Sequence, residues 1–510
     1  MRRAYKHLVL VALVSMFVGL GMTASHAESS LAQTVPPPDP ADPNIVFILT
    51  DDMRKDDFNA RYMPQTSSLL ADQGMSFQNA FVSNPLCCPS RTTIMRGQYA
   101  HNTDVWFNTN VYSTTGHDGG WAGYKGNGYE EDNVATRLHD PATAGYRTGL
   151  FGKYLNEYSG TDVPPGWDDW FAFLHPIDYY DYNVNDNGIK RHFGTDKSDY
   201  STDMLSRQAQ QFIGESVEQG KPFFAYVAPK APHGNFGTVP RHQHDFDGVK
   251  APRLPSFNER DVSDKPPWIQ SLRRLTSDDI AKIDKRHEQR VESLRSVDDL
   301  VGAVVDKLES YPGVLDNTYI VFTSDNGWYH GEHRIQQGKS RPYEEAPEVP
   351  LVVRGPDVQG GSSTDKLVLN TDYFPTFIDM ADTDPENLVP MPSYIDGRSL
   401  LPVLTGSPST WRTAILIEGR KYSADPEITF DRNYNGIRTS TSKYVEYEGG
   451  FRELYNLGPA TDPYELTNIY YNADPTVPPR PDLKARLDAL KSCAGADASA
   501  TSCKTAEGEQ

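Results

Sequence analysis

Ile45-Val46-Phe47-Ile48-Leu49-Thr50-Asp51-Asp52 places five apolar residues in a row ahead of a hydroxyl and two carboxylates. A strand with no polar face is buried on both sides, as in a parallel sheet covered by helices, and it delivers its polar residues at the carboxyl end. Phe223-Phe224-Ala225-Tyr226-Val227 and Tyr319-Ile320-Val321-Phe322-Thr323 repeat the pattern, and Leu351-Val352-Val353 is a shorter strand. Val297, Leu300, Val301, Val304, Val305 and Leu308 recur at helical spacing, which predicts an amphipathic helix just before the 319–323 strand. Alternating strands and helices predict an α/β fold, a mixed and largely parallel sheet between helices, with functional groups at the strand ends.

Ahead of this core, the basic Met1-Arg2-Arg3-Ala4-Tyr5-Lys6 precedes an apolar run from Leu8 to Ala24 and the small-x-small site Ser25-His26-Ala27. Residues 1–27 read as a signal peptide rather than a retained anchor, and Arg2-Arg3 leaves twin-arginine export open beside the general route. Residues 28–42, with Pro36-Pro37-Pro38, read as an extended lead-in; 43–404 as the main domain; 405–492 as a small C-terminal α+β domain with an antiparallel sheet; and 493–510 as a tail. The C-terminal sheet is expected from Thr413 to Glu418, Lys443 to Glu446 and Glu453-Leu454-Tyr455. No later segment is long and apolar enough for a stable membrane span.

Loss of Arg2, Arg3 and Lys6 with the leader takes the formal charge from −20 to −23, which disfavours nucleic acid as a partner. Cys493 and Cys503, in a tail behind an export leader, predict a disulfide. No Asn-x-Ser/Thr acceptor occurs, which fits an exported bacterial protein, periplasmic or secreted. Asp186-Asn187-Gly188 marks a hairpin turn after Tyr179, Tyr180 and Tyr182. Those rings either pack across the hairpin, the commoner case, or stack on a sugar at a cleft rim.

Asp51-Asp52 and Asp325-Asn326 follow two buried strands, so four oxygen-bearing side chains can meet at one sheet edge. Such a set suits Ca²⁺ or Mg²⁺ rather than zinc, although Asp and Asn also serve as helix caps and turn residues. Cys87-Cys88-Pro89-Ser90-Arg91 reads C-x-P-S-R, and in order after it stand Gly152-Lys153-Tyr154, Ala231-Pro232-His233 and Gly338-Lys339 with Tyr343-Glu344. This ordered series resembles the type I, formylglycine-dependent sulfatases, over roughly residues 43 to 480.

The resemblance implies an alkaline-phosphatase-like α/β core and a sulfuric ester hydrolase. It implies that Cys87 is converted to Cα-formylglycine by the formylglycine-generating enzyme, and that Asp51, Asp52, Asp325, Asn326 and the modified Cys87 hold one divalent cation, Ca²⁺ ahead of Mg²⁺. One hydroxyl of the hydrated aldehyde then attacks sulfur, the alcohol leaves, and the second hydroxyl drives release of sulfate and restores the aldehyde. Lys153 and Lys339 would clamp the sulfate, His233 with Lys339 would support the leaving oxygen, and Arg91 would hold the formylglycine and balance the carboxylates.

Many members read G-K-[WY]-H, with that histidine as the base for sulfate release; Leu155 stands here instead. Asn156 and His101 are the alternatives for the base, and His330 and His333 for a substrate contact or a supporting position. Tyr99-Ala100-His101-Asn102 and the 152–158 segment are similar to the N-acetylglucosamine-6-sulfatase and heparan-endosulfatase branch, which implies a sulfated amino sugar, or an aryl sulfate, as substrate. The rivals are a phosphonate or phosphate diester hydrolase of the same superfamily and a noncatalytic binder of sulfated glycans.

Overall fold

The computed structural model describes residues 42–509, apart from 111–117, 141–144, 235–236, 383–390, 407, 422–432, 472–479 and 496–501. The leader at 1–27 and all but the last residue of the lead-in lie outside the described residues. Ten strands form one sheet, in the order Ser362–Leu369, Met75–Phe81, Leu351–Arg354, Thr318–Ser324, Asn44–Thr50, Phe223–Ala228, Arg147–Gly152, Asp169–Phe173, Tyr182–Asp186 and Ile189–Phe193. The strands read from continuous apolar sequence occupy its middle. Asn44–Thr50 pairs in parallel with Thr318–Ser324 on one side and Phe223–Ala228 on the other, and every residue of the three is buried. Antiparallel pairing enters towards both edges, at 318–324 with 351–354 and through the hairpin 182–193, whose turn residues Asn187 and Gly188 both have positive φ.

Alternate side chains of the central strands feed two cores. Ile45, Phe47 and Leu49 pack with Phe224, Tyr226, Phe374 and Phe377, whereas Val46 and Ile48 pack with Phe223, Val227, Phe212 and Val301. The helix expected near 297–308 runs over Ser277–Glu309, and a reciprocal cap between Thr276 and Asp279 secures its start. Four antiparallel strands, Ala414–Gly419, Tyr434–Thr439, Ser442–Tyr447 and Arg452–Asn456, make the second sheet. Cys493 and Cys503 are joined as a disulfide, and Glu507 beyond them is buried against Arg412, Arg398 and the Tyr99 hydroxyl. Among the described residues no helix is long and apolar enough to cross a membrane.

The tyrosines at the hairpin settle in favour of packing for two of the three. Tyr179 stacks on Tyr200 and Tyr182 on Phe193, each 1 % exposed, so these rings are not available to a sugar.

Candidate active site

Two adjacent strand ends supply the acidic half of the site. Asp51 and Asp52 follow strand 44–50, Asp325 and Asn326 follow strand 318–324, and all four are essentially fully buried. The Asp52 amide donates to Asp325 Oδ1 at 3.0 Å, and Asn326 Nδ2 donates to Asp52 Oδ1 at 2.7 Å. Asp52 takes a left-handed backbone, φ 68°, unusual for a side chain other than glycine. Arg290 of the 277–309 helix, itself buried, donates to its carbonyl and to that of Pro232. No sequence motif pointed to Arg290. The available signal was its place seven residues before Val297, on the apolar face of the helix.

Cys87 opens the helix Cys87–Arg96. Pro89 falls in the first turn, where a missing N–H loses no helical bond, and Gly97 ends the helix at φ 65°. The turn aims Cys87 Sγ into the acidic cluster, 3.3 Å from Asp51 Oδ1 and 3.8 Å from Asp52 Oδ1. Cys88 instead belongs to the hydrophobic core, its amide bonded to Asn108. Burial first, then Asp325 and Asp51, push the Cys87 thiol well above its usual range, and Lys153 and Lys339 offset only part of this.

The cationic half closes over these groups. Lys153 Nζ lies 2.7 Å from Asp51 Oδ2; Lys339 Nζ lies 2.6 Å from Asp52 Oδ1 and 2.8 Å from Cys87 Sγ. Gly152 before Lys153 has φ 116°, and a Cβ there would come within 2.1 Å of the Ala228 carbonyl oxygen, so this turn requires glycine. Arg91 Nε pairs with Asp325 Oδ2 at 2.8 Å, and its Nη1 donates to the Lys153 carbonyl, which ties the helix to both strand ends. Burial alone would raise Asp51, but Lys153, His233, Arg91 and Lys339 together hold it well below the ordinary carboxylate range. His233 Nε2 stands 3.6 Å from Asp52 Oδ2; at 27 % side-chain exposure it is the most open member, at the mouth of the site.

The donor set fits a hard divalent cation. Asp52 Oδ2 and Asn326 Oδ1 are buried and accept no hydrogen bond from the described residues, and ligand atoms of Asp51, Asp52, Cys87 and His233 lie within 4.8 Å of one another. Oxygen donors carrying several negative charges are what Ca²⁺ and Mg²⁺ take.

The other candidates stand elsewhere. His101 is committed on both ring nitrogens: Nδ1 to Glu418 Oε2 at 3.1 Å, Nε2 to the Cys493 carbonyl at 3.0 Å. Burial would lower it, but Glu418 and the two hydrogen bonds raise it to about 9, so it is protonated at neutral pH and cannot serve as the base. His330 and His333 are fully buried, and neither belongs to the group that meets around Cys87. His333 stacks on Tyr343 and bonds Glu259 at 2.7 Å. Asn156 is half-buried, its carbonyl accepting from the Trp121 amide and its Oδ1 from none of the described residues.

Residues 43–383 match the family model described as Sulfatase. The chain belongs to the sulfatase family. Residues 331–492 also match the model described as N-sulphoglucosamine sulphohydrolase, C-terminal. The sulfatase is 34% identical over 491 residues to N-acetylglucosamine-6-sulfatase of Homo sapiens, covering 89% of this chain and 85% of the human protein. It is 36% identical over 397 residues to an extracellular sulfatase SULF-1 homolog of Drosophila melanogaster; that match takes in 75% of this chain but spans only about a third, 34%, of the fly protein. Among solved structures it is similar to BT4656 in complex with its substrate D-glucosamine-2-N,6-O-disulfate, at TM-score 0.70 and 25% identity, covering 88% and 97% of the two chains. A phosphonate monoester hydrolase of Agrobacterium radiobacter, at TM-score 0.63 and 22% identity over 85% of this chain and 92% of its own, shares the fold.

Proposed function

We propose that this sulfatase acts outside the cytoplasm on 6-O-sulfated glucosamine units, through a formylglycine made from Cys87 and a bound Ca²⁺. The observation that carries the reading is the position of Cys87 Sγ, in contact with Asp51 and Lys339 at the first turn of its helix, while Cys88 faces the core. Supporting the substrate are the likeness to N-acetylglucosamine-6-sulfatase and to the glucosamine disulfate complex. The aromatic residues of the branch-like segment, Tyr154 and Tyr158, are core residues and contribute no sugar contact.

Asp51, Asp52, Asp325 and Asn326 would hold the cation, which supplies fixed positive charge beside the nucleophile and the sulfate oxygens. The hydrated aldehyde supplies two hydroxyls on one carbon, one to attack sulfur and one to release the product. Lys153 and Lys339 neutralise sulfate oxygens as charge builds, and Arg91, paired directly with Asp325, offsets part of the rise that burial and Asp51 impose on that carboxyl. His233, exposed at the mouth, is the proton donor to the departing sugar oxygen. The leader sequence and the Cys493–Cys503 bridge support export to an oxidising compartment.

Tryptic mass spectrometry of active enzyme tests the first half: the aldehyde is expected at Cys87 and an unmodified thiol at Cys88. Full activity with Cys87 unmodified would sink it. The second half is tested by kcat/KM. A 6-sulfated glucosamine should exceed 4-nitrophenyl sulfate despite its poorer leaving group, because sugar contacts strengthen at the transition state. The reverse order for every 6-sulfated amino sugar tried would point to a broad arylsulfatase.

A further inference from the structure

Near Arg290, the residue that holds the Asp52 carbonyl, three side chains from separate parts of the chain converge. Asp57 comes from the short turn Lys55–Asp57, His287 from the 277–309 helix and His330 from the loop after strand 318–324. They are 1 %, 1 % and 0 % exposed. One ligand atom from each lies within 4.8 Å of the others, and His287 Nδ1 stands 3.8 Å from Asp57 Oδ1. The two rings meet edge to face, centroids 5.0 Å apart. Among the described residues, neither carboxylate oxygen of Asp57, neither nitrogen of His330, and not His287 Nδ1, has a hydrogen-bond partner.

Five buried polar atoms without partners at one point are costly. Each forfeits about 1–3 kcal/mol, and an ionised carboxylate more, so native interiors satisfy nearly all such groups. We infer that Asp57, His287 and His330 bind a transition-metal dication of the Zn²⁺ type, at a site separate from the hard-cation site of Asp51, Asp52, Asp325 and Asn326.

Two imidazoles and one carboxylate are a donor set that zinc takes and that calcium, an all-oxygen binder, does not. Bonds of about 2.0–2.1 Å put tetrahedral ligand atoms about 3.4 Å apart, so the present spacing closes by side-chain rotation. The Tyr62 hydroxyl, 3.5 Å from His287 Nε2, engages the opposite edge of the ring and leaves Nδ1 for the metal. Three guanidiniums, Arg54, Arg286 and Arg290, stand nearby and oppose a cation. Arg54 is matched by Glu332 at 2.7 Å; the carbonyls of Pro232 and Asp52 orient Arg290 without neutralising it, so Asp57 faces both Arg290 and the metal. His287 and Arg290 lie on one helical turn, so the metal would pin the helix that braces Asp52.

The test is the metal content of full-length protein purified without chelator, read by plasma mass spectrometry, together with the visible spectrum after reconstitution with Co²⁺. Wild type should retain about one transition-metal ion per chain beside the hard dication, and the Co²⁺ form should show ligand-field bands. His287→Leu with His330→Leu should lower transition-metal content by about tenfold or more and abolish the bands, while leaving the hard dication in place. Asp325→Asn should show the opposite pattern. If the double variant does not fold, Asp57→Asn, which preserves volume, takes its place. Wild type without transition metal and without bands on Co²⁺ addition, or bands that persist in the variants, would overturn the site and assign the cluster to buried water.

Discussion

The pair between His101 and Glu418 should make the stability of this protein fall as pH rises from about 6.5 to 9. In the folded chain His101 donates to Glu418 and to the Cys493 carbonyl, which requires the imidazolium, and its folded value of about 9 stands above the unfolded 6.5. Below 6.5 both states bind the proton and the pair contributes in full; between 6.5 and 9 only the folded state binds it; above 9 the contribution is gone. A difference of about 2.5 pKa units corresponds to about 3 kcal/mol, lost at up to about 1.4 kcal/mol per pH unit. Little solvent discount applies, because the His101 side chain is 11 % exposed and Glu418 is fully buried. The other acid facing the imidazole, Asp396, is raised to about 6 by burial and titrates below this window. Guanidinium unfolding at pH 6, 7.5 and 9.5 measures the slope, and Glu418→Gln should flatten it because the imidazolium loses its counter-charge. A flat wild-type profile, or an equal slope in Glu418→Gln, would refute the reasoning.

Testing Asp325 as a cation ligand needs a substitution that keeps an acceptor for Arg91: Asp325→Ala would leave the buried guanidinium with neither counter-charge nor acceptor and cost about 3–5 kcal/mol, whereas Asp325→Asn loses the charge but keeps the volume and a side-chain oxygen for Arg91 Nε. Asp325→Asn should fold, lose bound Ca²⁺ and fall by about 100-fold or more in kcat, as metal analysis and steady-state kinetics would show. Arg290→Met should lower activity with little change in KM, since it acts on the backbone of Asp52; an unchanged kcat would remove Arg290 from the site. Cys493→Ser with Cys503→Ser opens a short loop, sequence separation 10, and should cost about 3 kcal/mol in denaturant titrations.

What was legible in the sequence was whatever a single side-chain pattern records. Strands 44–50, 223–228 and 318–324 are apolar on both faces because they are buried on both faces, and the motif residues they carry meet at one sheet edge. Strand 147–152 escaped notice because two of its six residues are glycine, each required by a close approach, at Gly149 to Phe151 and Phe212 and at Gly152 to the Ala228 carbonyl. The outer strand 362–369 alternates exposed and partly exposed polar residues before it turns apolar, as an edge does. His101 looked like a base because it follows the nucleophile closely in sequence. Its partners, Glu418 and Cys493, lie 317 and 392 residues away, and nothing in a local motif announces them.

Cys87 is wholly enclosed, its thiol under Lys339 and its helix packed beneath Asn370 and the 373–381 helix. Whatever chemistry is performed on that sulfur by another protein therefore has a deadline: it must happen while the chain is still extended, before strands 44–50 and 318–324 come together around it. Strand 318–324 is made more than two hundred residues after Cys87. If the proposed formylglycine is the nucleophile, the interval between emergence of the cysteine and arrival of that strand is the time in which the molecule can be made active, and a copy that folds first would keep an unmodified thiol.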